Sequence, residues 1–220
     1  MIEAVLFDVD GTLVDSNDLH ATAWQEAFRH FGIVLPYQRI RSQVGKGGDN
    51  LIPSLLEPDL VERLQEDIEA FRSDLFTRDY LHRTRPFPGA RDLIEKLHRD
   101  EIGVVLATSS HQQDLDHHIA SLRCRDLLVA TVSRDDVDHS KPCADVFAAA
   151  LDKIAPVEAE ATIVVGDAPW DVLAANKIGL RTIALRSGGF ADAELREAGA
   201  IAIHDGTAEL ARLHPGWLPD

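Results

Sequence analysis

The chain has 220 residues, enough for one large domain or a core with a smaller insert, and 45% of them are hydrophobic, an ordinary share for a packed interior. Its 22 Lys and Arg stand against 37 Asp and Glu, a formal charge of -15 that argues against nucleic acid or an anionic membrane as partner. No run approaches the roughly twenty apolar residues of a membrane span, no basic region opens the chain, and Cys124 and Cys143 lie in no zinc or redox spacing; a reducing cytoplasm is the expected setting.

Ile2 to Phe7 is a short apolar run without alternation, which predicts a strand buried on both faces. It ends at Asp8, and Asp10 follows with Gly11 and Thr12 behind it. Two close carboxylates at the end of an apolar strand need a positive charge between them. Gly11 lets the backbone turn tightly so that its amides point back at an anion, and Thr12 can fix the turn.

The long stretch between Phe7 and Arg91 is neither linker-like nor strand-like. Asn17 to Phe31 places Leu19, Ala23, Ala27 and Phe31 on one stripe, and Asp59 to Tyr80 places Leu60, Leu64, Ile68, Phe71 and Leu75 on another, the pattern of amphipathic helices that bury each other. Further apolar runs, Ile102 to Ala107, Leu127 to Val132, Thr162 to Val165, Arg181 to Leu185 and Ala200 to Ile203, predict more strands. Helical patterns separate them at Arg91 to Arg99, Gln112 to Leu122, Ala144 to Ile154 and Trp170 to Ile178, the last stopped by Gly179. The expected fold class is therefore α/β: a doubly wound parallel sheet core with right-handed crossovers, formed by 1–15 and 84–220, with a small helical cap domain inserted at 16–83. The chain would leave and return through Val14-Asp15-Ser16 and Pro86-Phe87-Pro88-Gly89.

In open parallel sheets ligands bind beyond the carboxyl ends of the strands, where strand order reverses. Asp8 follows the first run; Thr108, Ser109 and Ser110 follow the second; Asp167, with Asp171 four residues on, follows the Ile163 run. Lys141, before Pro142 and a helix, belongs on the same rim. Asp8 and Asp167, with carbonyls and water, offer the hard oxygen ligands that suit Mg²⁺, so the missing positive charge is a metal plus Lys141.

At this point the chain resembles the haloacid dehalogenase superfamily over nearly its whole length. The motifs stand as Asp8-Val9-Asp10-Gly11-Thr12, Thr108, Lys141-Pro142 and Gly166-Asp167 with Asp171, in the family's order and each in its expected strand or loop. The resemblance implies an aspartyl-phosphate on Asp8. It implies that Asp10 protonates the leaving oxygen and deprotonates the attacking water, with its backbone carbonyl on the metal. Thr108, beside Ser109, and Lys141 would grip the phosphoryl oxygens, and Asp171 would orient Lys141 or complete the metal's outer shell. Crowding by Asp8 and Asp167 should keep Asp10 protonatable near neutral pH. Asp10 also sets the chain apart from relatives that cleave halides or phosphonates, which carry an aromatic or a small apolar residue there. Ala168 and Ala144 depart from the family's usual Ser or Thr and second Pro, and neither change removes a charge.

The expected activity is a Mg²⁺-dependent phosphatase acting on a small phosphorylated metabolite, with the cap choosing among sugar phosphates, phosphoglycolate and nucleoside monophosphates. A phosphosugar mutase of the β-phosphoglucomutase type is the alternative within the family. A non-catalytic phosphometabolite sensor is the alternative outside it, and an intact Asp8, Asp10, Lys141 and Asp167 argue against that. Val44 to Asn50, "VGKGGDN", lacks a P-loop ending and does not follow a strand. It is either a lid that lets Lys46 meet a substrate anion or a plain connection. His20, one turn before Trp24, either faces the cleft or follows the ordinary reading of an exposed histidine, and His111, His117 and His118 read as solvated. Trp170 should pack under the loop beside the acids. Nothing in the sequence speaks to oligomeric state.

Overall fold

A computed structural model describes residues 1–219. Six parallel strands form one sheet: β1 (Ala4–Phe7), β4 (Gly103–Ala107), β5 (Ala130–Val132), β6 (Thr162–Gly166), β7 (Arg181–Leu185) and β8 (Ala202–His204). Their spatial order is β5-β4-β1-β6-β7-β8, so the chain winds outward from β1 first to one side and then to the other. Phe7 lies level with Leu106 on β4 and Val165 on β6, so the residues just past all three strands emerge at one edge.

The absence of alternation in the apolar runs has a direct cause. Val5 and Phe7 pack on one face with Val104, Leu106, Ile163 and Val165, while Leu6 packs on the other with Val105, Ala107 and Val164. Both faces are covered, the first by α5 (Ala90–Arg99), α6 (Gln112–Leu122) and α10 (Thr207–Leu213), the second by α7 (Asp145–Lys153) and α8 (Pro169–Asn176). A short α9 (Asp192–Ala198) links β7 to β8. The β5 and β8 strands are shorter than their apolar runs suggested. A 3-10 turn at Arg125–Leu127 takes up the start of the first, and the second begins at Ala202.

The segment between β1 and α5 is helical: α1 (Asn17–His30), α2 (Tyr37–Arg41), α3 (Gly48–Leu55) and α4 (Pro58–Asp79). The chain passes into and out of it through a two-stranded antiparallel ribbon, β2 (Val14–Asp15) with β3 (Arg85–Pro86). Trp24, Phe28, Ile40, Leu51, Ile52 and Ile68 form one apolar cluster there, and Ala23, Leu75, Phe76 and Tyr80 another. The buried arc of α1 is wider than the predicted stripe, because α1 faces both α4 and the sheet edge; Leu19 and Phe31 lie at its margins, and His20, Trp24 and Phe28 lie inside it. On α4 the polar residue Arg72 lies inward with Ile68, Leu75 and Phe76. No described helix is long and apolar enough to cross a membrane, and Cys124 and Cys143 are both free.

Candidate active site

The shared register of β1, β4 and β6 delivers the site. Asp8 leaves the end of β1, 6% exposed, and its backbone amide still donates to Val165 on β6. Gly11 has φ +85°, and a Cβ there would run into Asn17 and the Asp167 carboxylate, so the turn behind Asp8 needs both the glycine's conformation and its bareness. The hydroxyl of Thr12 lies 3.0 Å from Asp8 Oδ2 and 3.0 Å from Asp167 Oδ1, joining the two acids.

Lys141 is wholly buried, and its ammonium spends its three protons on three acceptors: Asp8 Oδ1 at 2.5 Å, Asp171 Oδ1 at 2.8 Å and the Ala107 carbonyl at 3.1 Å. Asp171, in the first turn of α8, is itself fixed by the Ala168 amide at 3.0 Å. Asp8, Asp167 and Asp171 each offer an oxygen, all within 4.8 Å of one another. One lysine therefore faces three buried carboxylates. Burial, with the charges of Asp171 and Asp10 adding and Lys141 opposing, pushes Asp8 up to about 6. Burial, then Asp8 and Asp171, holds Asp167 well above the ordinary carboxylate range. Burial alone would lower Lys141, but Asp171 and Asp8 hold it above its usual value.

This imbalance tests whether a divalent cation fits. The donors are all hard oxygens, their spacing suits one ion, and the raised proton affinities of Asp8 and Asp167 are those of acids short of one positive charge. Beside them the Asn17 amide donates to Asp167 Oδ2 at 2.8 Å, while its own oxygen is buried with no partner among the described residues. The set fits.

Asp10 belongs to a neighbouring group. Its Oδ1 accepts from Ser16 at 2.7 Å and from His20 Nε2 at 2.9 Å, with His118 Nε2 3.3 Å away; its Oδ2 accepts from Ser110 at 2.7 Å and Thr108 at 3.4 Å. Arg72 touches Nδ1 of His20 and can only donate, so Nδ1 accepts and the proton sits on the Nε2 that faces Asp10. His20 is thus a neutral donor, in line with burial lowering its pKa against the pull of Asp10. Burial would also lower His118, yet Asp10 raises it overall. Burial would raise Asp10, but His20 and His118 together hold it well below the usual carboxylate range.

Two expectations are corrected here, and one open alternative is decided. Asp10 is not kept protonatable by Asp8 and Asp167, because its carboxyl turns to the two histidines and two serines instead, and its side chain stands apart from the three clustered acids. Of the two readings of His20, the structure favours the one facing the cleft: it is 4% exposed, lines the cleft and is bonded to Asp10. His118 is fully buried, unlike His111 and His117, because it lies on the inward stripe of α6 with Leu115, Ile119 and Leu122. That stripe was the available signal for His118. Arg72, Ser16 and Asn17 carried none, since only the folded chain brings them to Asp10 and Asp167.

A cleft separates the strand ends from the helical segment, floored by Asp8, Asp10, Thr108 and Ser109 and roofed by Lys46 and Arg72. The Val44 to Gly48 loop lines this cleft. Lys46 is half-buried, donates to Gln43 and Ser54, and sits 4.0 Å over the Trp170 ring, whose Nε1 donates to the Val44 carbonyl at 3.2 Å. Ser109 Oγ accepts from the Lys141 amide at 3.3 Å.

The acids and lysine gathered beyond the carboxyl ends of β1, β4 and β6 occupy the place where open parallel sheets bind their ligands. The family model for haloacid dehalogenase-like hydrolases matches residues 5–185, and the chain belongs to that family. A phosphoglycolate phosphatase of Pseudomonas fluorescens is 30% identical over 189 residues, 84% of this chain and 69% of that protein. The Arabidopsis thaliana chloroplast protein SUPPRESSOR OF QUENCHING 1 is 29% identical over 93% of this chain, which spans only 20% of that relative. Among solved structures, a hydrolase from Pseudomonas syringae shares 32% identity with a TM-score of 0.83, covering 95% of this chain and 96% of its own. Family and phosphatase relatives together make the protein a phosphoric monoester hydrolase.

Proposed function

We propose that the protein is a Mg²⁺-dependent phosphatase that hydrolyses a small phosphorylated metabolite through an aspartyl-phosphate on Asp8, with residues 16–83 as the substrate-selecting cap over a core of 1–15 and 84–220. The observation that carries this reading is the buried Lys141 ammonium held between Asp8 and Asp171, beside Asp167, beneath the Asp8 that floors the cleft.

Asp8 would attack phosphorus, forming the Oδ–P bond as the bond to the leaving oxygen breaks. Thr108 and Ser109, which line the cleft, would face the phosphoryl oxygens, and Lys141, buried behind Asp8, would help to offset the charge that builds there. Asp10 passes a proton to the leaving oxygen, drawn from His118, while neutral His20 only donates a hydrogen bond to the carboxylate; Asp10 then takes a proton from the water that hydrolyses the aspartyl-phosphate and returns it to His118, which restores Asp8 and releases phosphate. Asp8 and Asp167, with the Asp10 carbonyl, would hold the cation and Asp171 would orient Lys141. Bound there, a divalent cation supplies charge neutralisation that lets an anionic carboxylate approach an anionic phosphoryl group.

Release of inorganic phosphate from a panel of phosphomonoesters tests the reading, with p-nitrophenyl phosphate as the general probe. Turnover that needs Mg²⁺ and vanishes in Asp8→Asn is expected. A protein inert towards every member of the panel, or indifferent to chelator, would refute it. A hexose 1-phosphate converted to its isomer without free phosphate would identify the mutase instead.

A further inference from the structure

Ser140, the residue before Lys141, is fully buried, and each of its polar atoms is engaged from the helical side of the cleft. Its Oγ accepts from the Gly47 amide at 2.9 Å and contacts Asp49 Oδ1. Its amide donates to Asp49 Oδ2 at 2.9 Å, and its carbonyl accepts from Asn50 Nδ2 at 3.0 Å. Asp49 lies in the first turn of α3, where a carboxylate is favoured, with Arg134 3.9 Å away.

Gly47 carries an independent trace of this contact. Its φ of -73° and ψ of 168° are open to any residue, yet a Cβ there would strike the Ser140 side chain. The glycine is required by the close approach of Ser140 and not by its own backbone. On the other side, Lys141 is tied at its amide to Ser109 and at its ammonium to Asp8 and Asp171.

We propose that Ser140 is a positioning residue: gripped by Gly47, Asp49 and Asn50 of the cap, it sets the loop that places the Lys141 ammonium on Asp8. The proposal rests on the phosphatase reading for its catalytic consequence. When the cap seats, Asp49 and Asn50 supply the hydrogen bonds that fix the backbone entering Lys141. When the cap lifts, the three polar atoms of Ser140 lose those partners together, and the lysine loses its anchor on that side. Full transition-state stabilisation is then confined to the shut cleft, from which water is excluded.

The test compares Asp49→Ala, Asp49→Glu and Ser140→Ala with the wild type, using p-nitrophenyl phosphate with Mg²⁺ and hydrogen exchange at the Ser140 and Lys141 amides. Asp49→Ala is expected to lower kcat by roughly ten- to a hundredfold with little change in KM, the scale of a misplaced catalytic group. It is also expected to speed exchange at both amides. Asp49→Glu, which keeps the carboxylate, should recover part of kcat, and Ser140→Ala combined with Asp49→Ala should be no worse than Asp49→Ala alone. If Asp49→Ala does not fold, Gly47→Ala presses on Ser140 from the cap and should give the same loss of kcat and faster exchange. Faster exchange at Ser140 with kcat within about twofold of the wild type overturns the proposal. So does unchanged exchange at Lys141, a result that holds whether or not any phosphomonoester is turned over. A wild type without turnover would sink only the phosphatase reading.

Discussion

Lys141→Met removes the one cation among three buried acids while nearly filling the space, so its effect isolates charge. The substitution strips Asp8 of its 2.5 Å partner and Asp171 of its 2.8 Å partner and leaves both beside Asp167. Breaking a buried ion pair by removing one member costs about 3–5 kcal/mol, and the near-isosteric side chain keeps the cavity contribution small. At the ~2–4 °C per kcal/mol usual for chains of this length, the melting temperature should fall by roughly 10 °C in chelator. The loss should also depend on pH. Asp8 in the wild type is raised to about 6, so the folded chain binds that proton more readily than the unfolded one, and the group costs stability progressively as pH rises towards 6. Without Lys141 the same carboxyl rises further and the cost continues to accrue above that value. The stability from Lys141 itself, whose folded pKa is raised, is fully present below its unfolded pKa and so stays constant across this range. Thermal melts by circular dichroism at about pH 5 and about pH 8 should therefore show a small deficit at the lower pH and a large one at the higher. Equal melting temperatures at both, or a deficit that shrinks as pH rises, would refute the account of the site as acids short of positive charge.

Three further outcomes follow from the same geometry. Mg²⁺ added to chelator-treated protein should raise the melting temperature, by an amount equivalent to about 2.7 kcal/mol at a hundred times the dissociation constant, and Asp167→Asn should abolish most of that rise; calorimetric titration of both proteins checks it. Gly11→Ala forces a side chain onto φ +85° and into Asn17 and Asp167, so it should destabilise by more than about 1 kcal/mol and weaken the Mg²⁺ response as well, both readable in denaturant melts with and without the ion. His118→Gln removes one of the two imidazoles on Asp10 Oδ1; kcat for p-nitrophenyl phosphate should drop about ten- to a hundredfold while KM holds, and a variant with unchanged kcat would remove His118 from the acid-base group.

The helical segment also braces the group around Asp10. Arg72, 8% exposed, stacks on Trp24 and Phe76 and braces His20, which in turn stacks on Phe76 at 4.0 Å and bonds Asp10. Asp10, the acid-base residue of the proposed mechanism, is thus held from α1 and α4 as well as from the sheet, so substitutions in the helical segment are expected to act on that chemistry.

The local sequence was sufficient for everything that depends on one strand and the residue after it. An unbroken apolar run has to be covered on both sides, which implies a parallel sheet with helices on each face, and a polar residue at its end has to meet solvent or ligand at the sheet edge. Asp8, Thr108 and Asp167 were legible for that reason, and Lys141 from its place before Pro142 and a helix. What the chain could not state locally was which side chains meet across the cleft. His118 pairs with Asp10 across more than a hundred residues, Ser140 meets Asp49 across ninety-one, and Asn17 reaches Asp167 across a hundred and fifty. Those distances in sequence are closed only by packing the helical segment onto the strand ends. Burial keeps His20 neutral, whereas the pairing of Asp10 with His20 and His118 overrides burial, holding the Asp10 carboxyl low and His118 high.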